Sequence, residues 1–194
     1  MSPFFAYLYR LRWINRWNLM RNGISDNVAE HSFHVALLTH ALCTIGVQVF
    51  GKQVPVEKAV TLALFHDATE VITGDIPSPI KHHNEAILQG FREIESLAAE
   101  RLCEMVPPVL ADQYRPLILN TDPELACWVK AADLLDAYLK CTVEIVSGNR
   151  EYIGAQQEIA QRIEALEMEE VDYFMEHFAP SFARTLDELS RTEI

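Results

Sequence analysis

The dipeptide His66-Asp67 lies inside an otherwise apolar run, LALFHDATEVI. A carboxylate in such a run is costly to bury unless something pairs with it, and a metal ion is the simplest partner. Glu70, three residues on, adds a second carboxylate on the same side of a helix. Two more polar residues interrupt buried stripes elsewhere. His31 opens the stripe His31, Val35, Leu38, Leu42, Ile45, and Asp133 is flanked on its own face by Ala126, Val129 and Ala137. Neutral imidazole and carboxylate oxygen together suit a borderline divalent ion such as Mn, Co, Fe, Ni or Zn. The set His31, His66, Asp67 and Asp133 is therefore a candidate four-ligand site for one divalent metal ion. An octahedral ion held by four such side chains keeps about two positions for other oxygens.

Helices must bring these residues together, because strand patterns are nearly absent and apolar residues recur at three- and four-residue spacing. The periodicity predicts a first helix over Phe4 to Asn15, then a polar loop, RWNLMRNGISD. A second helix is capped by Ser25 or Asp26 and runs to Gly46, with Glu30 in its first turn. Pro55 opens a third that continues to Thr73. Pro77 and Pro79 predict an exposed, non-helical loop after Gly74. A fourth helix covers Asn84 to Met105, a fifth Pro123 to Val146, and a long acidic one Glu151 to Phe178. A short helix follows Pro180. With no repeat or linker, residues 1–194 read as a single-domain, all-α bundle of about six to eight helices.

A net charge of −12 argues against nucleic-acid polymers and membranes as partners. The charge is uneven, however: residues 1–25 carry Arg10, Arg12, Arg16 and Arg21 and no acidic residue, which suits a small anion. No apolar run approaches the roughly 20 residues that span a bilayer. The opening residues lack a signal peptide's plan. The four scattered cysteines, Cys43, Cys103, Cys127 and Cys141, suit free thiols in a reducing, cytoplasmic setting.

AEHSFHVALLTHAL, LALFHDATEVITGDIPSPIK and VKAADLLDAYLKC resemble the three signature segments of the HD-domain metal-dependent phosphohydrolases. RLRWINRWNLMRN, MVPP and MEEVDYFMEHFAPSF narrow that resemblance to the bacterial 5'-deoxynucleotidases, in the same segment order over nearly the whole chain. The resemblance implies an HD-type bundle with His31, His66, Asp67 and Asp133 as metal ligands. It implies catalytic roles for Asp67 and for Glu70, the latter as acid/base. Arg16, Trp17, His31, Asp67, Asp75, Ile76, Pro77 and Ser78 would contact substrate, with Trp17 orienting the phosphate. The implied reaction removes the 5'-phosphate from 2'-deoxyribonucleoside 5'-monophosphates by attack of metal-activated water. The cofactor would be Co, Mn or another first-row ion, and the enzyme a cytoplasmic homodimer. Elementary chemistry agrees. A divalent ion brings the pKa of water to about 7, Glu70 can exchange a proton, and Arg16 offers a planar fork that suits phosphate.

Two alternatives stand beside this reading. One is a different HD-domain reaction on a nucleoside triphosphate or cyclic dinucleotide, against which the sparse basic surface counts. The other is a non-catalytic nucleotide-sensing module. His34 could compete as a ligand from its place three residues after His31. His82 and His83 could recruit a second ion, although the polar stretch KHHNE favours an exposed loop.

Overall fold

The computed structural model describes residues 1–81 and 83–191, and every regular element among them is helical. The chain begins with a single turn, α1 (Phe4–Leu8), that tightens into a 3-10 turn over Tyr9–Trp13. The longer first helix expected to Asn15 is therefore cut short, because Ile14 is already extended. An isolated bridge between Asn15 and Asn27 then closes the loop between them at its neck.

Asn27, rather than Ser25 or Asp26, caps α2 (Val28–Gln48), its side chain accepting from the N–H groups of Ala29 and Glu30. Asp26 is engaged elsewhere, with Arg16 at 3.0 Å. α3 (Val56–Phe65) stops eight residues before the expected Thr73, and α4 (Glu70–Thr73) resumes after a turn. The reason is local: Ala68, Glu70, Val71 and Ile72 donate to carbonyls three residues back, not four. This tightening breaks the helix at His66–Thr69. α5 (Ser78–Lys81) corrects the expectation of a helix-free loop. Pro79 stands in its first turn, where a missing N–H costs nothing.

Next come α6 (Glu85–Met105), α7 (Ala111–Ile118) and α8 (Pro123–Val146). The first is capped by Asn84 and the last by Asp122, with Pro123 at its first position. α7 lies in the proline-rich stretch that gave no sequence signal. The single acidic helix expected over 151–178 is three pieces: a 3-10 turn at Arg150–Tyr152, α9 (Ile153–Glu164) and α10 (Glu169–His177). Glu167, at φ 50°, turns the chain between the last two. α11 (Leu186–Ser190) carries a capping box from Thr185 and Glu188.

Two apolar clusters hold these elements. The larger joins α2, α3, α8, α9 and α10 through Leu42, Leu62, Leu135, Ile159 and Phe174 among others. The smaller joins α1, α6 and α7 through Phe4, Leu102 and Ile118, and it includes Ala68. Ala63 belongs to the first cluster and Ala68 to the second. His66 and Asp67 thus stand where the two cores meet.

Candidate active site

His31 is fully buried in the first turn of α2, and its two ring nitrogens have different tasks. Nδ1 lies 2.7 Å from Asp136 Oδ2, where its N–H is donated to a carboxylate, so Nε2 is the nitrogen that a metal would take in place of a proton. That Nε2 is 3.3 Å from His66 Nε2, 3.3 Å from Asp67 Oδ2 and 3.4 Å from Asp133 Oδ1. His66 repeats the arrangement: Nδ1 donates to the Ala63 carbonyl at 2.7 Å, and Nε2 is 3.1 Å from Asp67 Oδ2. Asp133 also has one oxygen engaged, because Lys130 Nζ donates to its Oδ2 at 2.7 Å. Ligand atoms held about 2.1 Å from one ion, at octahedral to tetrahedral angles, stand about 3 to 3.4 Å apart. The spacing found here fits a single divalent ion, as does the chemistry of the donors. One ligand-type atom each from His31, His66 and Asp133 lies within 4.8 Å of the others.

His66 and Asp67 stand in the turn between α3 and α4, where His66 Nε2 and Asp67 Oδ2 lie 3.1 Å apart.

Electrostatics separates the carboxylates. Burial would raise Asp67, yet His66 and His31 hold it well below the usual range. Burial likewise works against Asp133 and Asp136, but His31 beside both, with Lys130 at the former and Arg16 at the latter, holds each low. Burial and the charge of Arg16 push His31 down, and the three aspartates together overcome them and raise it. Glu70 goes the other way. Burial first, then the negative charges of Asp67 and Asp75, push it up to about 9, so in the metal-free protein it keeps its proton at neutral pH. Its Oε2 is buried without a hydrogen-bond partner.

Beside the cluster lies a cleft of about 220 Å³. Arg16, Trp17, Asp75, Ile76, Pro77 and Ser78, all singled out in the sequence, line it together with Asp133. Arg16 is nearly buried between Asp26 at 3.0 Å and Asp136 at 3.3 Å. Trp17 adopts φ 59°, a left-handed conformation that costs a large L-residue of order 1–3 kcal/mol. Contacts around it hold that strain. Asn22 Nδ2 donates to the Trp17 carbonyl at 3.3 Å, and the indole packs on the Tyr152 ring at 5.3 Å. The indole Nε1 is buried and has no hydrogen-bond partner among the described residues.

The family model for 5'-deoxynucleotidase YfbR-like proteins matches residues 3–182. The chain belongs to the YfbR-like family. The 5'-deoxynucleotidase YfbR of Shigella boydii serotype 18 is 47% identical over 193 residues, 98% of this chain and 96% of that one. The YfbR protein of Escherichia coli K12 matches with the same identity and coverage. Among solved structures, an HD-domain phosphohydrolase from Listeria innocua superposes with a TM-score of 0.78 at 25% identity, covering 92% of this chain and 87% of its own. The helical architecture is accordingly of the HD type.

Measured against this YfbR-like framework, the other histidines separate cleanly. His34 lies off the cluster, its Nδ1 3.5 Å from Asp136 Oδ1, and is mostly exposed. His83 is exposed, and His82 lies outside the described residues. Three cleft residues carried no sequence signal: Lys130, Glu158 and Arg162. Asp136 was also missed. It sits three residues after Asp133 on α8, and that spacing was the one clue.

Proposed function

We propose that this YfbR-like protein is a metal-dependent phosphomonoesterase that removes the 5'-phosphate from 2'-deoxyribonucleoside 5'-monophosphates, giving deoxynucleoside and phosphate. The observation that carries the reading is the convergence of His31, His66 and Asp133, with Asp67 Oδ2 3.3 Å and 3.1 Å from the Nε2 atoms of His31 and His66, beside a cleft bearing Arg16. Membership of the YfbR-like family, and the 5'-deoxynucleotidase name of relatives at 47% identity, support the substrate class.

In this reading the four residues hold one first-row divalent ion, with cobalt and manganese suited to the mixed nitrogen and oxygen donors. When bound, the ion supplies a Lewis acid toward phosphate oxygen and brings the pKa of water to about 7. Arg16 binds the phosphate through its guanidinium. Trp17 closes one wall and offers its unpartnered indole N–H. The stretch from Asp75 to Ser78 receives the nucleoside along the same cleft. Glu70 is the acid/base group: its carboxyl orients water and exchanges a proton as the ester oxygen departs.

The test is phosphate release from dAMP and AMP by protein that has been chelated and reloaded with cobalt or manganese. Release from dAMP alone is expected. Equal release from both would remove the sugar selectivity, and tight binding with no release would replace the enzyme by a sensing module.

A homodimer and a cytoplasmic location complete the reading. Phe5, Trp13, Phe33, Leu37 and Leu97 are exposed and offer apolar surface to a second copy. Cys43, Cys103 and Cys141 are free and buried, as suits a reducing compartment. Light scattering at micromolar concentration should give twice the chain mass, and the mass of one chain would remove the dimer.

A further inference from the structure

We propose that Asp136 is a positioning residue that makes the metal site and the phosphate site a single unit. The geometry turns on one atom. Oδ2 of Asp136 accepts from His31 Nδ1 at 2.7 Å and from Arg16 Nη1 at 3.3 Å. The first contact fixes the tautomer that leaves His31 Nε2 free for metal. The second holds the guanidinium at the cleft wall, and Asp26 Oδ2 accepts from the same Nη1 at 3.0 Å. Asp136 is 8% exposed, so water does not replace either contact cheaply. The remaining oxygen faces His34 at 3.5 Å. The carboxylate is therefore committed on both sides.

An ordinary buried ion pair would connect Arg16 to Asp136 and end there. Here the same oxygen also orients a metal ligand, so displacement of Arg16 by an incoming phosphate leaves His31 as the partner that this oxygen keeps. A carboxylate behind a ligating histidine is worth about 10- to 100-fold in metal affinity. The coupling between two sites is reciprocal, so whatever strengthens the His31 contact must be felt by anion binding as well. The inference rests on the proposed reading of Arg16 as the phosphate contact, and its tests include one that is independent of turnover.

The experiment uses Asp136→Asn, Arg16→Met and the double variant. Cobalt is titrated into chelated protein and followed by visible absorbance, and KM and kcat for dAMP are measured at saturating cobalt. Asp136→Asn should weaken cobalt binding about 10- to 100-fold and raise KM by about tenfold or more, with a smaller change in kcat. Arg16→Met should raise KM and, by taking one partner from the oxygen that holds His31, change the cobalt Kd by more than about twofold. The double variant should show a KM no worse than Arg16→Met alone, because Asp136 reaches the substrate only through Arg16. Unchanged cobalt affinity in Asp136→Asn, or additive effects on KM, would overturn the proposal. If no monophosphate is turned over, the cobalt arm still decides the Asp136–His31 link while the function reading fails separately.

A second measurement needs no variant at Asp136. In the zinc-loaded protein, inorganic phosphate should shift one downfield imidazole N–H resonance, that of His31, and leave the His66 proton bonded to the Ala63 carbonyl in place. Arg16→Met should abolish the shift. Equal movement of both protons, or persistence of the shift in Arg16→Met, would mean that phosphate acts through the metal and not through Asp136.

Discussion

Asp67 and Glu70 are carboxylates one tight turn apart, yet their surroundings give them opposite protonation. Two imidazoles face Asp67 and keep it ionised, and the buried Oε2 of Glu70 has no hydrogen-bond partner among the described residues. A ligand and an acid are thereby separated within four residues. Glu70→Ala should keep cobalt affinity within about threefold and lose on the order of 10²–10⁴ in kcat, while Asp67→Ala should lose both. Cobalt titration alongside turnover separates the two, and normal kcat in Glu70→Ala would remove its acid/base role. The candidate ligands were legible in the sequence because His31, His66, Asp67 and Asp133 each put a polar group into an apolar stripe. Asp136 was not, since its purpose depends on an α2 histidine 105 positions away meeting it across the packed helices. Lys130, Glu158 and Arg162 were hidden for the same reason: they join the cleft only once α8 and α9 are docked.

At the scale of elements, the loop between Asn15 and Asn27 depends on Glu144 of α8. This carboxylate, 1% exposed, accepts from the Gly23 N–H at 2.9 Å, the Ile24 N–H at 3.0 Å, Asn149 Nδ2 at 2.8 Å and Lys140 Nζ at 2.5 Å. Burial alone would raise its pKa, but Lys140, Asn149 and the two backbone donors outweigh that and bring it down to about 2 from 4.5. A depressed carboxylate stabilises the fold above the unfolded value and loses that contribution as pH falls through the folded one. Urea midpoints should therefore fall between pH 4.5 and 2, and Glu144→Gln should flatten that part of the profile. An unchanged profile in the variant would remove Glu144 as the anchor. Where α2 meets α8, a Cβ on Gly46 would lie 2.8 Å from the Trp128 ring and 3.2 Å from Glu170 Oε1. Gly46→Ala should cost about 1–3 kcal/mol, read as a lower denaturation midpoint with unchanged m-value. Helix identity was legible where caps and stripes agree, as in α8, whose limits match the sequence reading. The break at His66 was not, because a single helix satisfies the same apolar spacing. Ala68, inside the turn, packs into the smaller core and not the larger, which the apolar spacing does not show.

At the scale of the molecule, the ion would add a further link between parts already joined by apolar packing and by the His31–Asp136 contact. Its ligands come from α2, from the turn between the two cores and from α8. Binding to the native state alone stabilises by about 2.7 kcal/mol at a hundredfold excess over Kd, so chelation should lower the melting temperature and cobalt should restore it. No shift on chelation would argue that the four side chains hold nothing. The thiols offer a view of how the two cores come apart. Cys43 and Cys141 lie in the larger cluster, Cys103 lies in the smaller, and Cys127 is exposed. Burial pushes Cys43 and Cys141 up to about 12, so neither presents a thiolate while the fold is closed. An alkylating pulse should modify Cys127 at once and the other three only during opening events. If Cys103 is labelled faster than Cys43 and Cys141, the smaller core breathes on its own. Equal rates among the three would make the His66-Asp67 junction a weld, with three built-in clocks to time it.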